Sequence, residues 1–90
     1  MIRYSILLDG KVQGVGFRYF TQIEASRLGL TGWAKNLIND EVEIEVQGTE
    51  EKVHKFISTI KIGNRFSRVD NISLNKIPAI TDEKKFTIKY

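Results

Sequence analysis

From Glu41 to Val46 the chain runs Glu-Val-Glu-Ile-Glu-Val, and no other segment of it patterns so cleanly. A strand turns successive side chains to opposite faces, so Val42, Ile44 and Val46 share an apolar face while Glu41, Glu43 and Glu45 share an acidic one. One face belongs to a core and the other to solvent. Whatever helices the chain forms must cover that single apolar face.

Helical spacing occurs twice. From Arg18 to Leu28 the residues Phe17, Phe20, Thr21, Ala25 and Leu28 fall on one side at 100° per residue, with Gly29 at the position of a C-cap. After Gly48, Thr49 suits an N-cap, Glu50 and Glu51 lie in the positive first turn, and Val53, Phe56, Ile57 and Ile60 follow at i, i+3, i+4 and i+7 up to Gly63. The other segments alternate with period two. Ile2, Tyr4, Ile6 and Leu8 interleave with Arg3, Ser5, Leu7 and Asp9, and Phe86, Ile88 and Tyr90 interleave with Thr87 and Lys89. Shorter strands are expected through Gly32–Lys35 and Val69–Leu74. Asn39-Asp40 makes the turn between the second and third strands, because both residues tolerate the left-handed region. The order βαββαβ, followed by a terminal strand, predicts an α+β fold: a ferredoxin-like sandwich, an antiparallel sheet with two helices on one face.

Ninety residues make one domain, 1–90, with one core. Hydrophobic content of 41% and charged content of 28% are those of an ordinary folded protein. There is no cysteine, which removes disulfides, thiolate metal sites and cysteine nucleophiles together. The apolar run from Ile2 to Leu8 is too short for a signal-peptide core and nothing approaches a membrane span, so a cytoplasmic address without membrane contact is expected. A net charge of +3 favours anionic ligands but lacks the clustering of a nucleic-acid binder. The acidic face of the third strand would also repel an RNA backbone, so no nucleic acid is expected there.

The segment GKVQGVGFR, Gly10 to Arg18, is where chemistry concentrates. Gly14 and Gly16 can adopt positive φ and bring backbone N–H groups close to a ligand, as anion-binding nests do. Arg18 closes the segment where the first helix starts, so a guanidinium and a helix N-terminus would face one anion. The letters exclude two familiar loops. Counted from Gly10, the second glycine of a Walker A loop would fall at Val15, and a dinucleotide fingerprint would need glycine or alanine at Tyr19. Mechanism alone leaves the loop evenly divided between an anion site and a plain turn.

GKVQGVGFR from Gly10, GWAKN from Gly32 and the run ending VQG at Gly48 together resemble the acylphosphatase family, and the similarity extends to the terminal FTIKY. The resemblance implies the same ferredoxin-like fold and hydrolysis of the carboxyl–phosphate bond of a small-molecule acyl phosphate, without metal or cofactor. It implies that the backbone of Gln13, Gly14, Val15, Gly16 and Phe17, with the Arg18 side chain, binds the phosphate, and that Asn36 orients the attacking water. Inorganic phosphate would be both product and inhibitor, and the protein a monomer. Two positions depart from the family pattern: Asp40 stands where glycine is common, and Leu37 where a polar residue is frequent.

So sparse a site suits this reaction. A carboxylate leaving group has a conjugate acid of pKa about 4, so no general acid is required. Fixed N–H donors and a bidentate arginine match the charge spread over the phosphoryl oxygens, and the bound phosphate itself would take the water's proton. The competing assignment is a non-catalytic phosphate-binding or interaction module on the same fold, since such domains also occur inside larger carbamoyl-transferring proteins. A chain beginning at Met1 and ending on the last strand favours the free-standing enzyme. Asn36 could instead serve only the hairpin. Trp33 is expected as a core or sheet-face aromatic, His54 as a solvated residue of the second helix, and Glu24 as a hydrogen-bonded residue at the edge of the first helix's apolar side.

Overall fold

The computed structural model describes all residues from Met1 to Tyr90. In chain order they form β1 (Ile2–Lys11), α1 (Phe17–Arg27), β2 (Thr31–Asn36), β3 (Val42–Gly48), α2 (Glu50–Ile62), β4 (Arg68–Ile77) and β5 (Phe86–Lys89). The five strands make one sheet in the order β4-β1-β3-β2-β5. β1 pairs antiparallel with β3 and β4, β2 pairs antiparallel with β3, and β5 lies parallel to β2. The expected antiparallel sheet is therefore corrected to a mixed one. The reason is topological: the chain leaves β4 on one edge, crosses the sheet and reaches the other edge running in the direction of β2.

Val42, Ile44 and Val46 are fully buried, as the alternation requires, together with Ile6 and Leu8 of β1. Helix α1 closes over them with Phe17, Thr21 and Ala25, and α2 with Val53, Phe56, Ile57 and Ile60. The Phe56 and Phe86 rings meet at 6.1 Å in a tilted arrangement, joining α2 to β5 across the core. Burying each such side chain contributes about 1.5–3 kcal/mol, which makes this cluster the principal stabiliser of the fold. Thr49 caps α2 by accepting from the Lys52 amide, as its position predicts. No helix is long and apolar enough to cross a membrane.

Three places differ from the periodicity. β4 runs to Ile77, beyond the expected end at Leu74, because its outer half is held by backbone pairing with β1 (Arg3 opposite Ile77) rather than by apolar burial. Asp40 takes φ 70°, so the strain of the hairpin falls on it and not on Asn39. Arg3, on the polar side of β1, is only 2% exposed. The segment 78–85 lies over the open face there: Arg3 donates to Glu83 at 2.8 Å and to Glu45 at 2.9 Å, while Gln47 exchanges two bonds with the Ile80 backbone. Part of the acidic face thus serves as counter-ion to a buried guanidinium. Glu24 pairs with Arg27 at 2.8 Å, Trp33 carries the Lys89 ammonium over its ring at 4.3 Å, and His54 is exposed beside Glu50.

Candidate active site

The turn between β1 and α1 owes its shape to its two glycines. Gly14 and Gly16 have φ of 73° and 74°, whereas Val15 between them stays outside the left-handed region. Such alternation of hand turns successive N–H groups toward one concave side, the geometry of an anion nest. Of the nine backbone hydrogen bonds outside the helices and strands, none starts from an amide between Gln13 and Tyr19. Gly16 is the N-cap of α1 and brings no capping side chain, and the helix has no acidic residue in its first turn. A run of uncommitted donors and the positive end of a helix therefore coincide.

Around this turn opens a cleft of about 260 Å³ lined by Gly14, Gly16, Phe17, Arg18 and Asn36, with Tyr19, Ile88 and Tyr90 as its outer walls. Arg18 and Asn36 come from α1 and the end of β2, and the fold brings them to one opening. Gln13 and Val15 belong to the turn but do not line the cleft.

Arg18 and the glycine turn are held by contacts that come from distant parts of the chain. Arg18 donates from Nη1 to the Lys89 carbonyl at 3.2 Å, and its guanidinium lies 4.9 Å from the centre of the Tyr90 ring. One N–H of five is used there, leaving a fork for an anion. Gln13 contributes its side chain as well as its backbone: Nε2 donates to the Leu37 carbonyl at 2.8 Å and to the Glu41 carbonyl at 2.9 Å, tying the turn to the hairpin beside Asn36. Asn64, beyond α2, donates from Nδ2 to the Val15 carbonyl at 2.8 Å. No local pattern signals these contacts, since the partners are 24 to 71 residues apart. The one available hint is that FTIKY, the last segment of the family resemblance, ends on Lys89 and Tyr90.

Asn36 pairs with Val42 at the end of the hairpin, and its Oδ1 is buried without a hydrogen-bond partner. A buried acceptor left over at the edge of a donor-lined cleft is suited to a water's O–H. The hairpin is otherwise satisfied: Leu37 donates to the Glu41 carbonyl at 2.8 Å, and Asn39 bonds both the backbone and the carboxylate of Glu41. Asn36 is therefore not spent on the hairpin's own backbone. Half-buried Leu37 and exposed Ile38 lie along a second groove with Lys35, Asn36 and Asn39.

A one-sided α+β sheet with an N–H nest, one arginine and one asparagine at a common cleft defines a small domain whose donors can accept an oxyanion. The chain belongs to the acylphosphatase family, whose sequence profile, described as Acylphosphatase, matches residues 4–88. It is 60% identical to an acylphosphatase of Clostridium beijerinckii over 90 residues, with both chains covered completely. The crystal structure of acylphosphatase from Bacillus subtilis superposes with a TM-score of 0.96 at 42% identity over the whole of both chains. Full-length HypF, in a phosphate- and nucleotide-bound form, contains a similar domain, with 32% identity and a TM-score of 0.90 over 99% of this chain and 12% of its own. The chain is an acylphosphatase, an enzyme that hydrolyses acyl phosphates.

Proposed function

We propose that the nest from Gln13 to Phe17 and the Arg18 fork hold the phosphoryl group of the acyl phosphate, and that Asn36 presents the attacking water. The observation that supports these roles is the shared cleft: Gly14, Gly16, Phe17, Arg18 and Asn36 border one opening although they come from two elements. Water oriented by Asn36 Oδ1 attacks phosphorus in line with the P–O bond to the carboxyl. That bond breaks with its electron pair going to the carboxylate. The water's proton passes to a phosphoryl oxygen, so the products are a carboxylate and inorganic phosphate. The nest amides and Arg18 match the equatorial oxygens at every stage.

In this reading no metal is needed, because a carboxylate leaves without a Lewis acid. All the groups come from one chain, which supports a monomer. A cysteine-free domain of this size is unlike the disulfide-dense small domains of secreted proteins, which supports a cytoplasmic address. Tyr19 and Tyr90 on the outer side of the cleft are exposed and define no enclosed acyl pocket, so the phosphoryl end dominates recognition.

Hydrolysis of benzoyl phosphate in EDTA, compared between the natural protein and the Arg18→Gln and Asn36→Ala variants, tests these assignments. Each variant is expected to lose about 10² or more in kcat, the scale for one positioned transition-state donor. Full activity in a folded variant would remove that residue from the mechanism. Because this mechanism takes no general acid or base from the protein, kcat/KM should carry no enzyme-derived pKa near 7 once the substrate's ionisation is accounted for.

A further inference from the structure

We propose that Asn64 is a positioning residue that aims the Gly16 amide into the phosphate site. The inference rests on the assignment of the nest as that site. The Val15 carbonyl and the Gly16 N–H belong to one peptide unit, which is planar and trans, so the two bonds point in opposite directions. Whatever holds the carbonyl outward therefore directs the N–H inward. Val15 O receives the Asn64 Nδ2 donor at 2.8 Å, and it accepts no helical bond from Tyr19. Gly16, with φ 74°, forms the C-terminal side of this peptide and can accept either sign of φ, so the unit is easy to flip. A flip would turn the carbonyl oxygen toward the phosphate and convert an attraction into a repulsion.

Asn64 is itself fixed for the task. Its amide donates to Ser67 Oγ at 2.9 Å, and its carbonyl accepts from the Ser67 hydroxyl at 3.0 Å and the Ser67 amide at 3.1 Å. The turn after α2 is thereby closed on its own residues, and the side chain is free to reach across to the nest. Asn64 Oδ1 is buried without a partner. Leaving an acceptor unsatisfied is costly in a purely structural asparagine, and it is consistent with selection for the donor alone.

The test uses the full chain and benzoyl phosphate, with inorganic phosphate as inhibitor. Asn64→Ala is expected to lower kcat/KM about tenfold and to weaken phosphate inhibition by a similar factor, the scale of one lost positioning hydrogen bond. In ¹⁵N-labelled protein the Gly16 amide should lose most of its phosphate-induced shift. Asn64→Asp supplies a readout that a general structural role would not move. Its ionised carboxylate would repel Val15 O, whereas the protonated form has an O–H to donate, so activity relative to the natural protein should recover as pH falls through the carboxyl range.

Three results would overturn the proposal. One is Asn64→Ala within twofold of the natural protein in both kcat/KM and phosphate inhibition while Arg18→Gln loses both. Another is an Asn64→Asp variant whose activity relative to the natural protein stays unchanged as pH falls through the carboxyl range. The third is phosphate inhibition that survives Arg18→Gln, which would remove the phosphate-site assignment itself.

Discussion

Two glycines of this chain carry opposite kinds of constraint, and substitution separates them. A methyl added at Gly32, where φ is 140°, would lie 1.8 Å from the Glu45 carbonyl oxygen in the neighbouring strand. Neither backbone can retreat without breaking the β2–β3 ladder, so Gly32→Ala should cost more than the ~1–3 kcal/mol of ordinary overpacking. A methyl at Gly14 meets nothing within 4 Å, and only its φ of 73° resists. Gly14→Ala should therefore cost about 1 kcal/mol, roughly 4–8 °C in melting temperature, while activity falls much further because the nest no longer holds its hand. Urea melts with parallel assays would check this, and equal stability losses in the two variants would contradict it. Tyr90 gives a milder case. Its ring under Arg18 is 95% exposed, so the cation–π contact has the exposed-site value of about 0.5–1 kcal/mol, and Tyr90→Ala should lower kcat/KM about two- to fivefold. A loss as large as that of Arg18→Gln would assign Tyr90 a larger part than orientation.

At the scale of elements, the segment between β4 and β5 ties the C-terminal part of the sheet to the first strand through the Arg3–Glu83 pair. Burial pushes the Glu83 carboxyl up, but hydrogen bonding and charge from Arg3 outweigh it and hold the group below its ordinary value of 4.5. A carboxyl lowered in the folded state stabilises the protein above its unfolded pKa, and that stability is lost as pH falls through the lowered folded value. Acid unfolding should therefore steepen below about pH 4.5, and Glu83→Gln should flatten that limb. Arg3→Ala should cost about 3 kcal/mol, the lower end for breaking a buried pair, since Glu45 and Glu83 keep 26% and 16% of their side-chain exposure. Thermal melts between pH 3 and 7 would measure both. This element also marks the limit of what the sequence discloses. Period two and period 3.6 revealed the strands and helices whose apolar faces meet the core, because burial repeats with the local geometry. They did not reveal that Arg3 is buried, that β5 runs parallel to β2, or that β4 extends to Ile77, because these depend on partners elsewhere in the chain and leave no local period. The site divides in the same way. The glycine turn and Arg18 stood out by type and spacing and Asn36 only through the family resemblance, whereas the contacts around them, from Gln13, Asn64, Lys89 and Tyr90, exist only after folding.

Taken as one object, the molecule couples its site to its global stability, since the cleft is assembled from the β1–α1 turn, the end of β2 and the end of β5. The uncommitted amides from Gln13 to Tyr19 and the Arg18 fork exist as a cluster only in the folded chain. An anion held there must favour folding by RT ln(1 + [L]/Kd), about 2.7 kcal/mol at one hundred times Kd. For a domain of this length that amount corresponds to a rise of roughly 10–20 °C in melting temperature. Inorganic phosphate should produce such a rise, saturating with the same constant that governs its inhibition of hydrolysis. Sulfate offers a related oxyanion and should act in the same direction, whereas chloride at equal ionic strength should not. The Arg18→Gln variant should lose most of the phosphate-specific rise while melting normally without phosphate, because Arg18 is half-exposed and its one protein bond is to a terminal carbonyl. A rise that is the same in both proteins would be the general effect of a kosmotropic salt on burial and would separate phosphate binding from this cleft.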